Sequence, residues 1–82
     1  MRLDQLPLNC PGIVQGLSDE HGVTRRLQAM GFNPGVQVTV TRRAPLGDPI
    51  ALKLHGYELS LRCQEASLVH VSPQEPGDVT RR

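Results

Sequence analysis

Five side chains in this 82-residue sequence are thiols or imidazoles, which can bind metal ions or act as nucleophiles. Thiolates and imidazoles are the ligands that zinc and many transition metals prefer in proteins. None of the five is spaced as C-x-x-C, H-x-x-x-H or a similar pair, so the sequence indicates no metal site and leaves only weak candidates. These candidates are Cys10, His21, His55, Cys63 and His70.

Catalytic groups are equally scattered. Cys63 follows Arg62, and an adjacent cation could lower the pKa of its thiol, but the sequence offers no base and no orienting partner. The carboxylates of Asp19 and Glu20 are explained by the start of a helix, whose dipole favours negative charge there. No glycine-rich phosphate-binding pattern is present. We therefore expect no catalytic residue and no cofactor, and the chain is predicted to be a binding module and not an enzyme.

Basic residues are concentrated in doublets that could meet an acidic partner surface, although ordinary solvated faces would explain them as well. The formal net charge is only +1, from nine basic and eight acidic residues. A nucleic-acid binder that depends on phosphate contacts would be much more basic, so no nucleic-acid partner is expected. The candidates for partner contact are Arg25, Arg26, Arg42, Arg43 and Arg62.

Alternating apolar residues indicate the elements that position these side chains. Period-two alternation over 36–43 and 50–54 predicts two strands, each with one buried face. The sequence APLGDPI connects them, and each of its residues suits a turn for its own reason. Pro45 and Pro49 restrict φ, Gly47 permits a positive φ, and Asp48 can form a hydrogen bond with nearby backbone.

The remaining pattern adds three strands, at 12–17, 57–62 and 67–71, and one helix between the first two strands of the chain. His55 and Gly56 separate two strands by two residues, which predicts a hairpin of type I′.

The helix is predicted to begin near Ser18 or Asp19, either of which could cap it. Leu27 lies in its apolar stripe, and Gly31 is placed to end it in a left-handed conformation. Phe32 falls where a Schellman motif would return an apolar side chain to Leu27.

These elements predict a mainly β protein: a small, closed or nearly closed barrel of about five antiparallel strands around a thin aliphatic core. The domain is expected to span 1–72, followed by a flexible tail at 73–82 whose only apolar residue is Val79. No run approaches the ~20 apolar residues that span a bilayer, and no signal-peptide core is recognised. A cytoplasmic location, with both cysteines reduced, is therefore expected.

Three ordered motifs in this chain resemble those of the FeoA family. Residues 25–35 are similar to its rL-x-x-(L/M)-G-x-x-P-G segment, 44–50 to its (A/S)P-x-GDPI loop, and 59–66 to its (I/L)-x-LR-x-x-EA segment. The resemblance covers about 3–71. Most of its motif residues also have structural explanations, as turn formers, helix stops or core: Leu27, Gly31, Pro34, Gly35, Pro45, Gly47, Asp48 and Pro49.

The resemblance implies an SH3-like barrel and a bacterial cytoplasmic accessory to ferrous iron uptake. Its partner would be FeoB, a membrane transporter with a cytoplasmic GTP-binding domain, so the protein would be peripheral to the membrane through that partner only. A metal-responsive regulatory or adaptor domain is the alternative, because similar domains end the iron-dependent DtxR-type repressors. Whether the protein is a homo-oligomer, for example through an exposed strand, is left open.

Overall fold

The computed structural model describes residues 1–18 and 22–74, and within them one antiparallel sheet forms the body of the protein. Its elements are a 3₁₀ turn (Leu3–Gln5), β1 (Pro11–Leu17), α1 (Val23–Met30), β2 (Gln37–Arg43), β3 (Ile50–Leu54), β4 (Tyr57–Leu61), α2 (Cys63–Ala66) and β5 (Val69–Pro73). The strand order is β4-β3-β2-β1-β5. This arrangement confirms a mainly β fold of five strands with one short helix between the first and second strands.

The alternation in β2 and β3 gives the sheet its buried face, as predicted. Val38 and Val40 of β2 are fully buried opposite Leu54 and Leu52 of β3. The apolar residues on the same face of the other strands complete one aliphatic core, which also encloses Phe32. Phe32 is one of only two aromatic residues in the chain, so the core is formed almost entirely by aliphatic side chains.

The β3–β4 hairpin has the predicted two-residue turn. His55 and Gly56 have φ values of 55° and 81°, and both lie in the left-handed region that a type I′ turn requires. The turn sets the register that follows, in which Lys53 lies opposite Glu58. Oppositely charged residues therefore face each other across the exposed side of the hairpin.

The helix ends as predicted but begins later. The amide of Gly31 donates to the carbonyl of Gln28 at 3.0 Å, and that of Phe32 to Leu27 at 3.1 Å, the two hydrogen bonds of a Schellman motif. The predicted start near Ser18 is wrong, because Gly22 has a φ of +80° and helical geometry begins only at Val23. The other predicted cap, Asp19, lies outside the described residues, as does Glu20.

The N-terminal segment forms an element that was not predicted, and β5 starts later than expected. The leucines at the N-terminus form a 3₁₀ turn that buries Leu3, and the following Leu6 is also buried. β5 starts at Val69 and not at residue 67, because the amides of Ser67 and Leu68 bond back to the carbonyls of α2.

The last described residues continue the sheet past the predicted domain end at 72. β5 includes Pro73, and the amide of Gln74 donates to the carbonyl of Pro11 at 2.8 Å. The rest of the predicted tail, 75–82, lies outside the described residues. Among the helices that the structure describes, none combines the length and the apolar character needed to cross a membrane.

Candidate partner-binding surface

The loop between β2 and β3 is closed by its own backbone. The amide of Ala44 donates to the carbonyl of Pro49 at 3.0 Å, and the amide of Gly47 donates to the carbonyl of Ala44 at 2.7 Å. Together with the two prolines that flank its tip, Pro45 and Pro49, these bonds leave the loop few alternative conformations.

A second set of contacts ties this loop to α2. The carboxylate of Asp48 accepts a hydrogen bond from the backbone amide of Cys63 at 2.9 Å, and the Cys63 thiol donates to the carbonyl of Gly47 at 3.1 Å. The predicted hydrogen bond of Asp48 is thus made with a residue 15 positions away and not within its own turn. Because Cys63 is the first residue of α2, the carboxylate satisfies an amide that the helix itself leaves without a partner.

The thiol of Cys63 lies in an environment that opposes its ionisation. Burial raises the pKa of its thiol, the charge of Asp48 and the hydrogen bond with it raise the pKa further, and Arg43 opposes these effects. The adjacent Arg62, which could have lowered the pKa of the thiol, is not among the groups that shift it. A thiol that stays protonated at neutral pH is a poor nucleophile.

The five candidate arginines do not converge on one patch. Arg26 and Arg62 line a groove of about 480 Å³ between α1 and α2, and Arg26 forms an ion pair with Glu65 there. Glu65 also accepts a hydrogen bond from the backbone amide of Arg62 at 3.1 Å, which stabilises the start of α2. Arg25, on α1, is exposed.

Arg42 and Arg43, at the end of β2, line a different groove, of about 250 Å³, beside the β2–β3 loop. Their side chains differ in environment. Arg43 donates to the carbonyl of Leu6 at 2.9 Å and thereby holds the N-terminal segment, whereas Arg42 is exposed. Arg43 therefore has a structural role, whereas the side chain of Arg42 is exposed and available for contact with a partner.

The weak metal-ligand candidates are dispersed over the described part of the fold. In residues 1–18 and 22–74, no three side chains of the His, Cys, Asp and Glu types lie together as a metal site would require. His70 is exposed and its Nε2 lies 2.6 Å from the Ser18 hydroxyl, while His55 packs beside Gly31. Cys10 is a free, partly buried thiol, as is Cys63. His21 lies outside the described residues.

Comparison with known proteins identifies the family to which this chain belongs. Residues 1–73 match the model of the FeoA domain. The chain belongs to the FeoA family. It is therefore grouped with the accessory proteins of ferrous iron transport, as the three sequence motifs implied.

One curated relative joins FeoA to FeoB in a single polypeptide. The chain is 31% identical over 71 residues, 87% of its length, to the Fe(2+) transport protein A/Fe(2+) transporter FeoB fusion protein of Porphyromonas gingivalis. It spans only 8% of that relative's length.

Solved structures of FeoA proteins share the fold. The FeoA-like protein of Clostridium acetobutylicum superposes with a TM-score of 0.86 at 36% identity, covering 92% of this chain and 87% of that one. The Stenotrophomonas maltophilia FeoA, solved as a complex with zinc and described as a prokaryotic SH3 domain protein, gives a TM-score of 0.81 at 30% identity, covering 92% and 96%. The SH3-like fold expected from the family resemblance is thereby confirmed.

Three features of this FeoA domain were not foreseen in the sequence: two contacts and one exposed side chain. Glu65 was visible only as part of a family motif, although its position three residues after Arg62 is the spacing of a capping box. The hydroxyl of Tyr57 donates to the carbonyl of Met30 at 2.7 Å and so joins the hairpin to the end of α1. The exposed tip of the β2–β3 loop, Leu46, carried no signal at all, because a leucine is by default a core candidate.

Proposed function

We propose that this protein is a non-enzymatic, cytoplasmic accessory of bacterial ferrous iron uptake that binds the cytoplasmic region of FeoB and modulates the transporter. The observation that carries the proposal is the Porphyromonas gingivalis relative, in which a segment similar to 87% of this chain is covalently joined to FeoB. Fusion keeps two domains at a high effective concentration, which is useful where they act on each other.

The surface of the domain supports a role in protein contact. A loop with little conformational freedom presents an apolar tip, and exposed arginines flank two grooves. A rigid surface loses little conformational entropy when it binds, which favours recognition of a partner. The Cys63 thiol, whose raised pKa keeps it protonated at neutral pH, does not favour nucleophilic chemistry.

Direct binding to the FeoB cytoplasmic region tests the proposal. We expect calorimetry with the purified 82-residue chain to show saturable 1:1 binding, and GTP turnover by that region to change when the chain is added. The SH3-like domain of a DtxR-type repressor is a fold-matched control and is expected to leave both readouts unchanged. Absence of association at millimolar concentrations, together with normal ferrous uptake in a deletion strain, would contradict the proposal.

The zinc complex of the Stenotrophomonas maltophilia FeoA favours one alternative, a metal-responsive regulatory or adaptor domain that acts through other partners. This alternative requires zinc or ferrous iron to bind the chain with a dissociation constant below the millimolar range. The metal must also change the affinity of the chain for a partner, and the partner must then change the affinity for the metal by the same factor. Titration of the chain with each metal, in the presence and absence of the FeoB region, distinguishes the two functions.

A further inference from the structure

Leu46 is almost completely exposed to solvent. Its exposed fraction is 96%, compared with 52%, 47% and 47% for Met1, Leu8 and Tyr57, the other large apolar residues that are exposed in the described part of the chain. A single exposed leucine is common on protein surfaces. Leu46 is unusual because the loop that carries it is held rigidly while its side chain is left free.

The loop is held from both sides. Its backbone closes on itself through the two bonds of Ala44, and Gly47 and Asp48 are bonded to Cys63 of α2. The side chain at the tip contributes nothing to these contacts. The position of Leu46 is therefore determined before any partner arrives, and binding through it would cost little backbone entropy.

A positive charge lies beside the loop that carries the apolar tip. Arg42 is exposed, lies on the groove beside the loop, and forms no ion pair with any residue that the structure describes. An apolar anchor on a loop that is bordered by a cation is complementary to an apolar pocket with an acidic rim. A few well-buried residues supply most of the binding energy of a protein interface, and the charges at the rim mainly set the association rate.

We propose that Leu46 is the anchor by which this protein docks into an apolar, acid-rimmed pocket of the FeoB cytoplasmic region, with Arg42 facing the rim. The inference rests on the proposed function and adds the surface that performs it. The groove between α1 and α2, where Arg26 is already paired with Glu65, lies outside this contact.

Paired alanine variants test the anchor. Leu46→Ala is expected to weaken binding to the FeoB region at least tenfold and to leave the melting temperature unchanged, because the side chain is free. Leu8→Ala removes the same atoms from another exposed leucine and is expected to change affinity less than twofold. If Leu46→Ala binds the FeoB region as tightly as the unaltered chain, Leu46 is not the anchor. The same conclusion follows if Leu46→Ala and Leu8→Ala weaken binding equally.

Paired charge reversals test the rim. Arg42→Glu and Arg25→Glu change the net charge by the same amount, and both arginines are exposed. We expect only Arg42→Glu to lower the association rate constant several-fold and to reduce its dependence on salt. Equal effects of the two reversals would show a general charge effect and would overturn the role of Arg42.

The outcomes separate the inference from the function beneath it. If the unaltered chain does not bind the FeoB region, the proposed function fails and the inference fails with it. If the unaltered chain binds and Leu46→Ala binds equally well, the function stands and this inference is wrong. Co-sedimentation with phosphatidylglycerol vesicles that is lost in Leu46→Ala, without loss of FeoB binding, would assign the loop to a lipid surface and overturn the inference.

Discussion

At the scale of single residues, Cys63 shows how a distant contact reverses a local expectation. Its neighbour in sequence is an arginine, which would favour the thiolate. In the fold, burial and the carboxylate of Asp48 determine its titration, and both raise the pKa of the thiol. The residue therefore serves as a hydrogen-bond donor that fixes the β2–β3 loop and not as a reactive group.

The raised pKa of Cys63 predicts how stability depends on pH. The folded state holds the thiol proton more tightly than the unfolded state, in which the ordinary value is about 8.5. The stabilisation is therefore complete below about pH 8.5 and is lost as the pH rises towards the pKa of the folded state. We expect the stability difference between the unaltered chain and Cys63→Ser to decrease between pH 7 and pH 10, as measured by urea unfolding.

Cys10→Ser is the matched control for this experiment, because it removes the other thiol and keeps Cys63. Its stability should follow that of the unaltered chain across the same pH range. If Cys63→Ser and the unaltered chain lose stability in parallel, the thiol of Cys63 is not the titrating group.

At the scale of elements, the end of α1 and the β3–β4 hairpin support each other. The ring of His55 lies against Gly31. Tyr57 lies outside the core, and its hydroxyl donates to the carbonyl of Met30. That carbonyl belongs to the last turn of the helix, where backbone acceptors have no partner within the helix. The hairpin thus completes a helix end that glycine alone would only terminate.

Alanine substitutions at two glycines distinguish the cost of backbone strain from the cost of packing at this contact. Gly31 and Gly35 have φ values of 113° and 93°, so alanine at either position should cost about 1–2 kcal/mol of backbone strain. Only at Gly31 would the added Cβ meet other atoms, with His55 Cδ2 at 3.0 Å and Leu54 Cδ2 at 3.2 Å. Gly31→Ala is therefore expected to destabilise the fold by about 1–3 kcal/mol more than Gly35→Ala, in urea unfolding.

A double variant identifies the source of the difference. Gly31→Ala combined with His55→Ala should recover part of the extra cost relative to His55→Ala alone, because the ring that the new Cβ meets is gone. Equal costs for Gly31→Ala and Gly35→Ala would mean that the hairpin moves aside freely and does not support the helix end.

At the scale of the whole molecule, a small aliphatic core leaves little stability to spare. Hydrogen bonds at the margins of the sheet therefore matter, and the last one described joins Gln74 to Pro11. No ladder joins β4 to β5 within residues 1–18 and 22–74, so β5 depends on β1 and on the N-terminal residues, where its Val71 amide bonds to the carbonyl of Met1.

Two truncations test where the domain ends. Deleting 75–82 removes a single apolar residue and is expected to change the melting temperature by less than about 2 °C. Deleting 73–82 also removes the hydrogen bond from Gln74, worth about 0.5–1.5 kcal/mol, and is expected to lower it by several degrees. A large loss from the shorter deletion alone would show that the domain extends beyond Gln74.

The local structure of this protein follows from short segments of its sequence. Alternation with a period of two predicted β2 and β3, the His55-Gly56 pair predicted the hairpin, and Gly31 predicted the helix end. These features depend on backbone conformations and on residues only a few positions apart. Such preferences are written into short segments, which is why they could be recognised without a structure.

The arrangement of the surface, in contrast, depends on long-range packing. The bond from Cys63 to Asp48, the division of the arginines between two grooves, and the exposure of Leu46 all depend on segments that are distant in sequence. Strand register and packing bring such segments together, and no local pattern records which side chains then meet and which stay in water.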